Sequence, residues 1–245
     1  MASDENWVEI KHKEKSYYIF KLSLNKRFDI TEEDELDFKD FLNPYTITGD
    51  ETLELLEAMT AKDYERCQKI IEKENINRGA INSHNNTALH IAVQLQDIKL
   101  VELLLQNGWD PSHCDKAGVT PFHLAAKLGL ATILETLYKK NPSILNQTLN
   151  DQSSALYLAA KEGKTECVHK LLSWNAIIDK KNNAGLFPLF IAIYYDHIES
   201  ALAIASHGVG INLSIEDKTT PLHLATEKNF INLVKELLSK GADPT

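Results

Sequence analysis

Thr120-Pro121-Phe122-His123 is one of five similar tetrapeptides that recur along this chain at an almost fixed interval. The other four are Thr87-Ala88-Leu89-His90, Ser154-Ala155-Leu156-Tyr157, Phe187-Pro188-Leu189-Phe190 and Thr220-Pro221-Leu222-His223. Their first residues stand at positions 87, 120, 154, 187 and 220, so the successive intervals are 33, 34, 33 and 33 residues. Five matches at one period indicate a chain built from stacked structural repeats.

The chemistry of the tetrapeptide predicts the start of a helix. The Thr120 hydroxyl can accept a hydrogen bond from a free backbone N–H of the first turn. Pro121 suits the first helical position because its missing N–H would have no partner there. A short run of apolar and small residues follows, as in Leu124-Ala125-Ala126, and then a second apolar segment that ends in most units with a double leucine, as in Leu171-Leu172. Each unit is therefore predicted to be a pair of helices.

The whole unit resembles the ankyrin repeat, which has a turn, a Thr-Pro-Leu-His helix start, a short inner helix, an outer helix and a Gly-Ala-Asp turn. The last element is present as Asn107-Gly108-Trp109-Asp110 and Lys240-Gly241-Ala242-Asp243. The glycines of this turn, and Asn175 in its unit, are expected to adopt the left-handed conformation that ends a helix. The resemblance covers about residues 50–245 and implies a mostly α solenoid of stacked helix-turn-helix units.

Three parts of the chain follow from this pattern. Residues 82–245 are predicted to hold five repeats, the last of which has no C-terminal cap. Residues 49–81 have apolar side chains at helical spacing and are predicted to form a degenerate N-terminal capping repeat. Residues 1–48 do not fit the repeat: two β-rich runs within residues 7–22 indicate a hairpin, and an acidic helix is expected over 31–42. This small α/β extension either covers the first repeat or forms a separate docking surface, and both interpretations stay open.

Composition narrows the class of protein. The chain has 26 lysines and arginines against 35 aspartates and glutamates, a formal net charge of −9, which disfavours binding to nucleic acid. No stretch approaches the length of a membrane-spanning apolar segment, and the first residues do not resemble a secretory signal. Cys67, Cys114 and Cys167 show no metal-binding or disulfide spacing, and Cys67 and Cys167 are expected in the core. We therefore expect a monomeric cytoplasmic protein that has no membrane contact.

We interpret the histidines and cysteines that could support catalysis as structural residues. His90, His123 and His223 share one repeat position, where the resemblance implies an imidazole bonded to the backbone of a neighbouring turn. His113-Cys114 has no third or fourth ligand at a recognisable spacing, so neither a nucleophile nor a metal site is predicted there. The sequence also contains no phosphate-binding glycine loop and no zinc-protease motif. We expect no catalytic residue, no cofactor and no metal, and hence no enzyme.

The resemblance also implies where a partner binds, because ankyrin repeats usually meet partners on their concave face. The corresponding candidate residues are Lys127, Leu128, Lys161, Glu162, Leu186, Tyr194, Tyr195, Glu227 and Lys228. Leu186, Tyr194 and Tyr195 are the most distinctive, since aromatic side chains are frequent among the contacts that dominate binding energy. A second interpretation stays open: Phe190 and Asp196 depart from the repeat, so the fourth unit has drifted and the tyrosines pack locally.

Trp109 and Trp174 stand near turns where small or polar residues are usual. An exposed tryptophan would be a plausible interface anchor. The alternative is that each indole lies over an adjacent loop, and the sequence slightly favours this alternative.

These features together predict an intracellular protein–protein interaction module whose partner the sequence does not identify. One alternative is a substrate-recruiting arm of a larger enzyme whose catalytic domain lies beyond residue 245, which would explain the missing C-terminal cap. A further alternative is a secreted bacterial effector acting in the cytosol or nucleus of a host cell. Abundant Asn, Lys and Ile together with irregular repeats are typical of such effectors, but they also follow from any AT-rich genome.

Overall fold

The structure is a computed structural model, and the part of the chain that it describes comprises residues 7–12, 15–20, 50–73, 76, 78–79, 84–216 and 218–244. In the N-terminal extension, strand β1 (Trp7–His12) pairs antiparallel with strand β2 (Lys15–Phe20), and Trp7 lies opposite Phe20. The helix expected over 31–42 lies outside the described residues.

Six helix pairs follow one another within the described residues. The inner and outer helices are, in chain order, Asp50–Thr60 with Tyr64–Ile71, Ala88–Gln94 with Ile98–Gln106, Pro121–Leu128 with Ala131–Lys140, Ala155–Lys161 with Thr165–Ser173, Pro188–Tyr194 with Ile198–Ala205, and Pro221–Glu227 with Ile231–Ser239. We name the first pair the cap pair and the others repeats 1 to 5. Inner helices of neighbouring repeats pack on each other, as do the outer helices. The predicted stack of helix pairs is confirmed.

None of the described helices has the length and the hydropathy of a membrane-spanning segment.

The helix starts have the chemistry that the tetrapeptide predicts. Thr120 Oγ1 accepts a hydrogen bond from the backbone N–H of His123 at 3.3 Å, and the Thr120 N–H donates to Nδ1 of His123 at 3.3 Å. Ser154 Oγ accepts from the Tyr157 N–H at 3.1 Å in repeat 3. Phe187 offers no such acceptor in repeat 4, where the helix starts without a side-chain cap. These bonds satisfy backbone groups that the first turn leaves open.

The turns of neighbouring repeats are joined by backbone hydrogen bonds. Lys116 N–H donates to the His84 carbonyl at 2.9 Å, and Asn150 N–H donates to the Ala117 carbonyl at 3.0 Å. The Asn183 N–H donates in the same way to the turn of repeat 3. The turns therefore form a continuous row along one edge of the solenoid and hold the inner helices at a regular spacing.

One connection differs from the predicted pattern. The outer helix of repeat 2 ends at Lys140, its C-terminal cap residue Asn141 has an extended backbone, and a 3₁₀ helix follows at Pro142–Asn146. Ile144 and Leu145 of this segment are buried in the core. The longest interval between tetrapeptides, 34 residues, spans this connection. The sequence pattern gave no sign of the 3₁₀ helix because its apolar residues resemble the end of an ordinary outer helix.

Both tryptophans pack against the protein. Trp109 is only 1% exposed, and the Arg78 guanidinium carbon lies 5.4 Å from the centre of its ring. Trp174 is partly buried and stacks on Tyr138, with ring centres 4.1 Å apart and planes within 10° of parallel. Of the two interpretations of these residues, that of an exposed anchor is wrong.

Replacing the two tryptophans should have unequal effects on stability. Trp109→Ala removes a fully buried indole and should lower the free energy of unfolding by about 3–5 kcal/mol. Trp174→Ala removes mainly a stacking contact, so the expected loss is about 1 kcal/mol. Urea unfolding of both variants measures the difference, and equal losses would contradict the burial of Trp109.

Candidate binding groove

A groove of about 620 Å³ lies between the inner helices and the turns of repeats 3, 4 and 5. Its buried side chains include Tyr157, Phe190, Ile191 and Leu224, and its half-buried or exposed ones include Lys161, Asn182, Leu186, Tyr194, Tyr195, Ile215, Thr219 and Glu227. The groove thus has an apolar floor and a rim that mixes aromatic, cationic and anionic groups. Such a combination suits a ligand with an apolar side chain flanked by polar groups.

Tyr194 and Tyr195 form the aromatic part of the rim. They are 55% and 46% exposed, and their rings meet edge to face with centres 5.2 Å apart. The Lys161 ammonium lies 5.9 Å from the centre of Tyr195, and the Lys228 ammonium lies 5.8 Å from the centre of Tyr194. The rings do contact each other, as the local-packing interpretation expects, but about half of each side chain stays open to solvent.

The backbone after the inner helix of repeat 4 sets the position of the tyrosines. Tyr194 is the last residue of that helix and Tyr195 is its C-terminal cap. Asp196 then takes a left-handed conformation, with φ of 65°, as Gly163 does in repeat 3. Asp tolerates this conformation better than most residues do, and the Asp196 carboxylate also pairs with the Lys228 ammonium at 2.5 Å. The chain therefore turns away directly behind the two rings.

The histidines of repeats 1 and 2 hold the structure together. Nε2 of His90 bonds the Val119 carbonyl at 3.1 Å, and Nε2 of His123 bonds the Gln147 carbonyl at 2.9 Å. Burial lowers the pKa of each imidazole to about 4, so both are neutral near neutral pH. The bond to a neighbouring turn that the resemblance implied is confirmed at both positions. His223, in the last repeat, is exposed.

Repeats 3 and 4 have aromatic residues at this same position. Tyr157 and Phe190 replace the histidine there, and both side chains line the groove. Ile215 and Leu224 of repeat 5 complete the apolar surface. None of these four residues was among the predicted site residues. The available signal was the loss of the histidine in two consecutive repeats.

Not all predicted site residues come together. Lys161, Leu186, Tyr194, Tyr195 and Glu227 line the groove, and Lys228 borders it through its contact with Tyr194. Three others are absent from the lining: Lys127, Leu128 and Glu162. Lys127 is exposed at the end of the inner helix of repeat 2, while Leu128 and Glu162 are partly buried. The binding role of all nine residues stays a prediction.

The cysteines are placed as core and surface residues. Cys67 and Cys167 are fully buried, and burial raises the pKa of each thiol to about 11. Cys114 is exposed, and Nε2 of the neighbouring His113 lies 3.2 Å from Nδ2 of Asn85. Over the described ranges, no cluster of three or more His, Cys, Asp or Glu side chains is arranged to hold a metal ion.

Exposed apolar side chains are distributed unevenly along the described solenoid. The large exposed ones are Ile177, Tyr194, Tyr195, Ile198, Val209, Ile231 and Leu238. All seven belong to the segment 177–238, which begins after the outer helix of repeat 3. The described parts of the cap pair and of repeats 1 and 2 contribute none. Of these seven residues, only Tyr194 and Tyr195 line the groove, and the other five lie elsewhere on the surface of the same half.

Comparison with known proteins agrees with this architecture. Residues 55–148, 133–217 and 156–245 match the family described as Ankyrin repeats (3 copies). The chain is 29% identical over 171 residues to the nuclear factor NF-kappa-B p105 subunit of Gallus gallus, covering 67% of this chain and 17% of that protein. It is 27% identical over 191 residues to the NAD-dependent deacetylase sir2B of Dictyostelium discoideum, covering 73% of this chain and 24% of that protein.

A solved structure gives the same result. The ankyrin repeat domain from Acinetobacter baumannii superposes with a TM-score of 0.71 at 24% identity, and the match covers 77% of this chain and 98% of that domain. At this identity the likeness concerns the fold alone. The chain spans less than a quarter of each of the two curated relatives.

The two buried histidines should make stability depend on pH. Below about pH 6.5 histidines of the unfolded chain gain a proton, whereas folded His90 and His123 stay neutral down to about pH 4. The unfolded state thus takes up protons first, and the free energy of unfolding should fall as the pH drops through this window. Each histidine should contribute about 1.4 kcal/mol per pH unit.

A matched variant tests this dependence. His90→Tyr with His123→Tyr copies the residue that repeat 3 carries as Tyr157. Urea unfolding near pH 7 and near pH 5 should show a smaller loss of stability for the variant than for the parent. Equal losses would show that these histidines are not the neutral, buried groups described above.

Proposed function

Since the chain belongs to the ankyrin-repeat family, a family of protein-binding modules, we propose that it binds a partner protein through the groove of repeats 3 to 5. The partner places an apolar side chain on the floor formed by Phe190 and Leu224 and contacts the exposed rings of Tyr194 and Tyr195. Binding takes place inside the cell and needs no cofactor.

The observation that carries this proposal is the position of the two exposed tyrosines at the rim of an apolar groove. Tyrosine supplies a large contact area while losing little conformational entropy, and it is frequent at the centres of interfaces. Two half-exposed aromatic rings beside Leu186 do not stabilise a surface that contacts only water, so their presence favours a binding role for this surface.

We also propose that the repeats bind without catalysing a reaction. The two imidazoles with the most strongly shifted pKa values, His90 and His123, use both ring nitrogens in structural hydrogen bonds. Nδ1 accepts from the backbone N–H of the threonine that starts its own helix, and Nε2 bonds a carbonyl of the next turn. Two of the three thiols are buried, and their raised pKa values keep them protonated near neutral pH. These imidazoles and thiols therefore stabilise the core, and we propose that the residues at the rim of the groove bind the partner.

An affinity capture experiment tests the binding site. The parent chain serves as bait in cell extract beside a Tyr194→Ala, Tyr195→Ala variant, and retained proteins are identified by mass spectrometry. Both rings are about half exposed, so the variant should lose no more than about 1 kcal/mol of stability, as a melting curve verifies. The parent should retain a partner that the variant loses.

A control variant separates the groove from general surface hydrophobicity. Ile198→Ala with Ile231→Ala also removes two exposed apolar side chains, but from outer helices. This control should retain the partner. Retention by the tyrosine variant, or equal loss in both variants, would refute the groove as the binding site.

A second candidate function is recruitment of substrates to a catalytic domain elsewhere in a longer protein. The observation in its favour is that the chain spans 17% and 24% of two relatives, one of which is named as a deacetylase. An immunoblot of producing cells with an antibody against the repeats tests this candidate. A product well above 27.6 kDa would support it, and a product of that mass would exclude it.

A further inference from the structure

The ends of the inner helices of repeats 2 to 5 carry an ordered row of charges. Equivalent positions in repeats 2 to 5 hold Lys127, Lys161, Tyr194 and Glu227. The row therefore starts with two cations, passes an aromatic ring and ends with an anion. We name it the polar row.

The charges of the polar row are available to a ligand. Among the described residues, no carboxylate lies within ion-pair distance of Lys127 or Lys161, and no cation lies within that distance of Glu227. Lys228, by contrast, is already paired with Asp196. Charges that lack partners in the free protein can gain them on binding without first breaking an internal ion pair.

Charged residues next to the polar row weaken its order from cations in repeats 2 and 3 to an anion in repeat 5, but they do not reverse it. Glu162 follows Lys161 directly, yet only Lys161 lines the groove. The turn tips show this order less clearly: equivalent positions hold the exposed Lys116 in repeat 2, Asn150 and Asn183 in repeats 3 and 4, and the exposed Glu216 in repeat 5, but the exposed Asp151 adjoins Asn150. Glu216 shares its turn with Lys218, so the acidic end is weaker in the tips than in the polar row.

The spacing of the row can be compared with that of an extended peptide. Packed helices lie about 8–10 Å apart, and an extended chain advances about 3.3 Å per residue. One repeat therefore corresponds to about three peptide residues. If one side chain of the bound peptide lies beside Tyr194, the peptide residues about three and six positions away in one direction lie near Lys161 and Lys127. On the other side, a residue about three positions away would lie near Glu227.

We propose that the groove, together with the adjoining end of the repeat 2 inner helix, takes an extended peptide segment of its partner in which an apolar residue stands between acidic residues on one side and a basic residue on the other. This proposal rests on the groove being the binding site and adds the chemistry of the segment that it recognises. The apolar residue occupies the groove beside Tyr194 and Tyr195. The acidic residues face Lys161 and Lys127, and the basic residue faces Glu227.

Selection from a library of random linear peptides displayed on phage tests the charge order. The baits are the parent chain and a charge-reversed variant, Lys127→Glu, Lys161→Glu and Glu227→Lys, with its folding verified by a melting curve. Peptides enriched on the parent should carry the acidic–apolar–basic order at about three-residue spacing. Peptides enriched on the variant should carry the opposite order, and each set should bind the other bait about tenfold more weakly or worse in fluorescence anisotropy.

The outcomes separate this inference from the proposed function. Enriched peptides that require Tyr194 and Tyr195 but show no charge order, or that bind both baits equally, would overturn the inference and leave the groove as the binding site. Enriched peptides that bind a Tyr194→Ala, Tyr195→Ala variant unchanged would overturn both proposals. Failure of any peptide to be enriched on the parent would overturn the inference alone, because a folded partner could still bind the groove and the capture experiment above tests that separately.

Discussion

The packing of each inner helix against the inner helices of its neighbours is the interaction on which the whole structure depends. A single helix pair cannot bury its apolar face alone, so each repeat is stable only within the stack. Pairs of fully buried alanines, such as Ala125-Ala126 and Ala159-Ala160, let the helices approach closely. Because the groove lies between three consecutive repeats, its width follows from this packing and not from the conformation of one loop.

The same repeat position performs two tasks in different halves of the solenoid. In repeats 1 and 2, the imidazoles of His90 and His123 form hydrogen bonds to backbone carbonyls of the next turn and so join neighbouring repeats. In repeats 3 and 4, Tyr157 and Phe190 take this place and line the groove. Among the described residues, the large exposed apolar side chains also lie in the second half, and two of them, Tyr194 and Tyr195, line the groove.

Much of the fold was accessible from the sequence because the helix starts obey local rules. Thr120, Pro121 and the 33-residue period predict a helix pair, and the structure has one at each tetrapeptide. The 3₁₀ helix at Pro142–Asn146 could not be predicted, since its place depends on the burial of Ile144 by neighbouring repeats. The tryptophans show the same limit: their packing against Arg78 and Tyr138 depends on segments that the pattern does not connect.

The candidate site was predictable only in part. Tyr194, Tyr195 and Leu186 were identified by comparing equivalent positions, because an apolar residue at a concave position departs from the pattern. Tyr157 and Phe190 were missed, since replacing one buried residue by another leaves no sign in a single repeat. Only the stacking of three repeats shows that these side chains form one surface with Ile215 and Leu224.

Hydrogen–deuterium exchange of the protein, alone and bound to a partner retained from cell extract, tests most directly whether the groove is the recognition surface. We expect new protection in the turn and inner helix of repeat 4, at 182–195, and in the turn of repeat 5. Exchange in the outer helices should stay unchanged. Protection confined to the outer helices or to repeats 1 and 2 would contradict the assignment of binding to the groove.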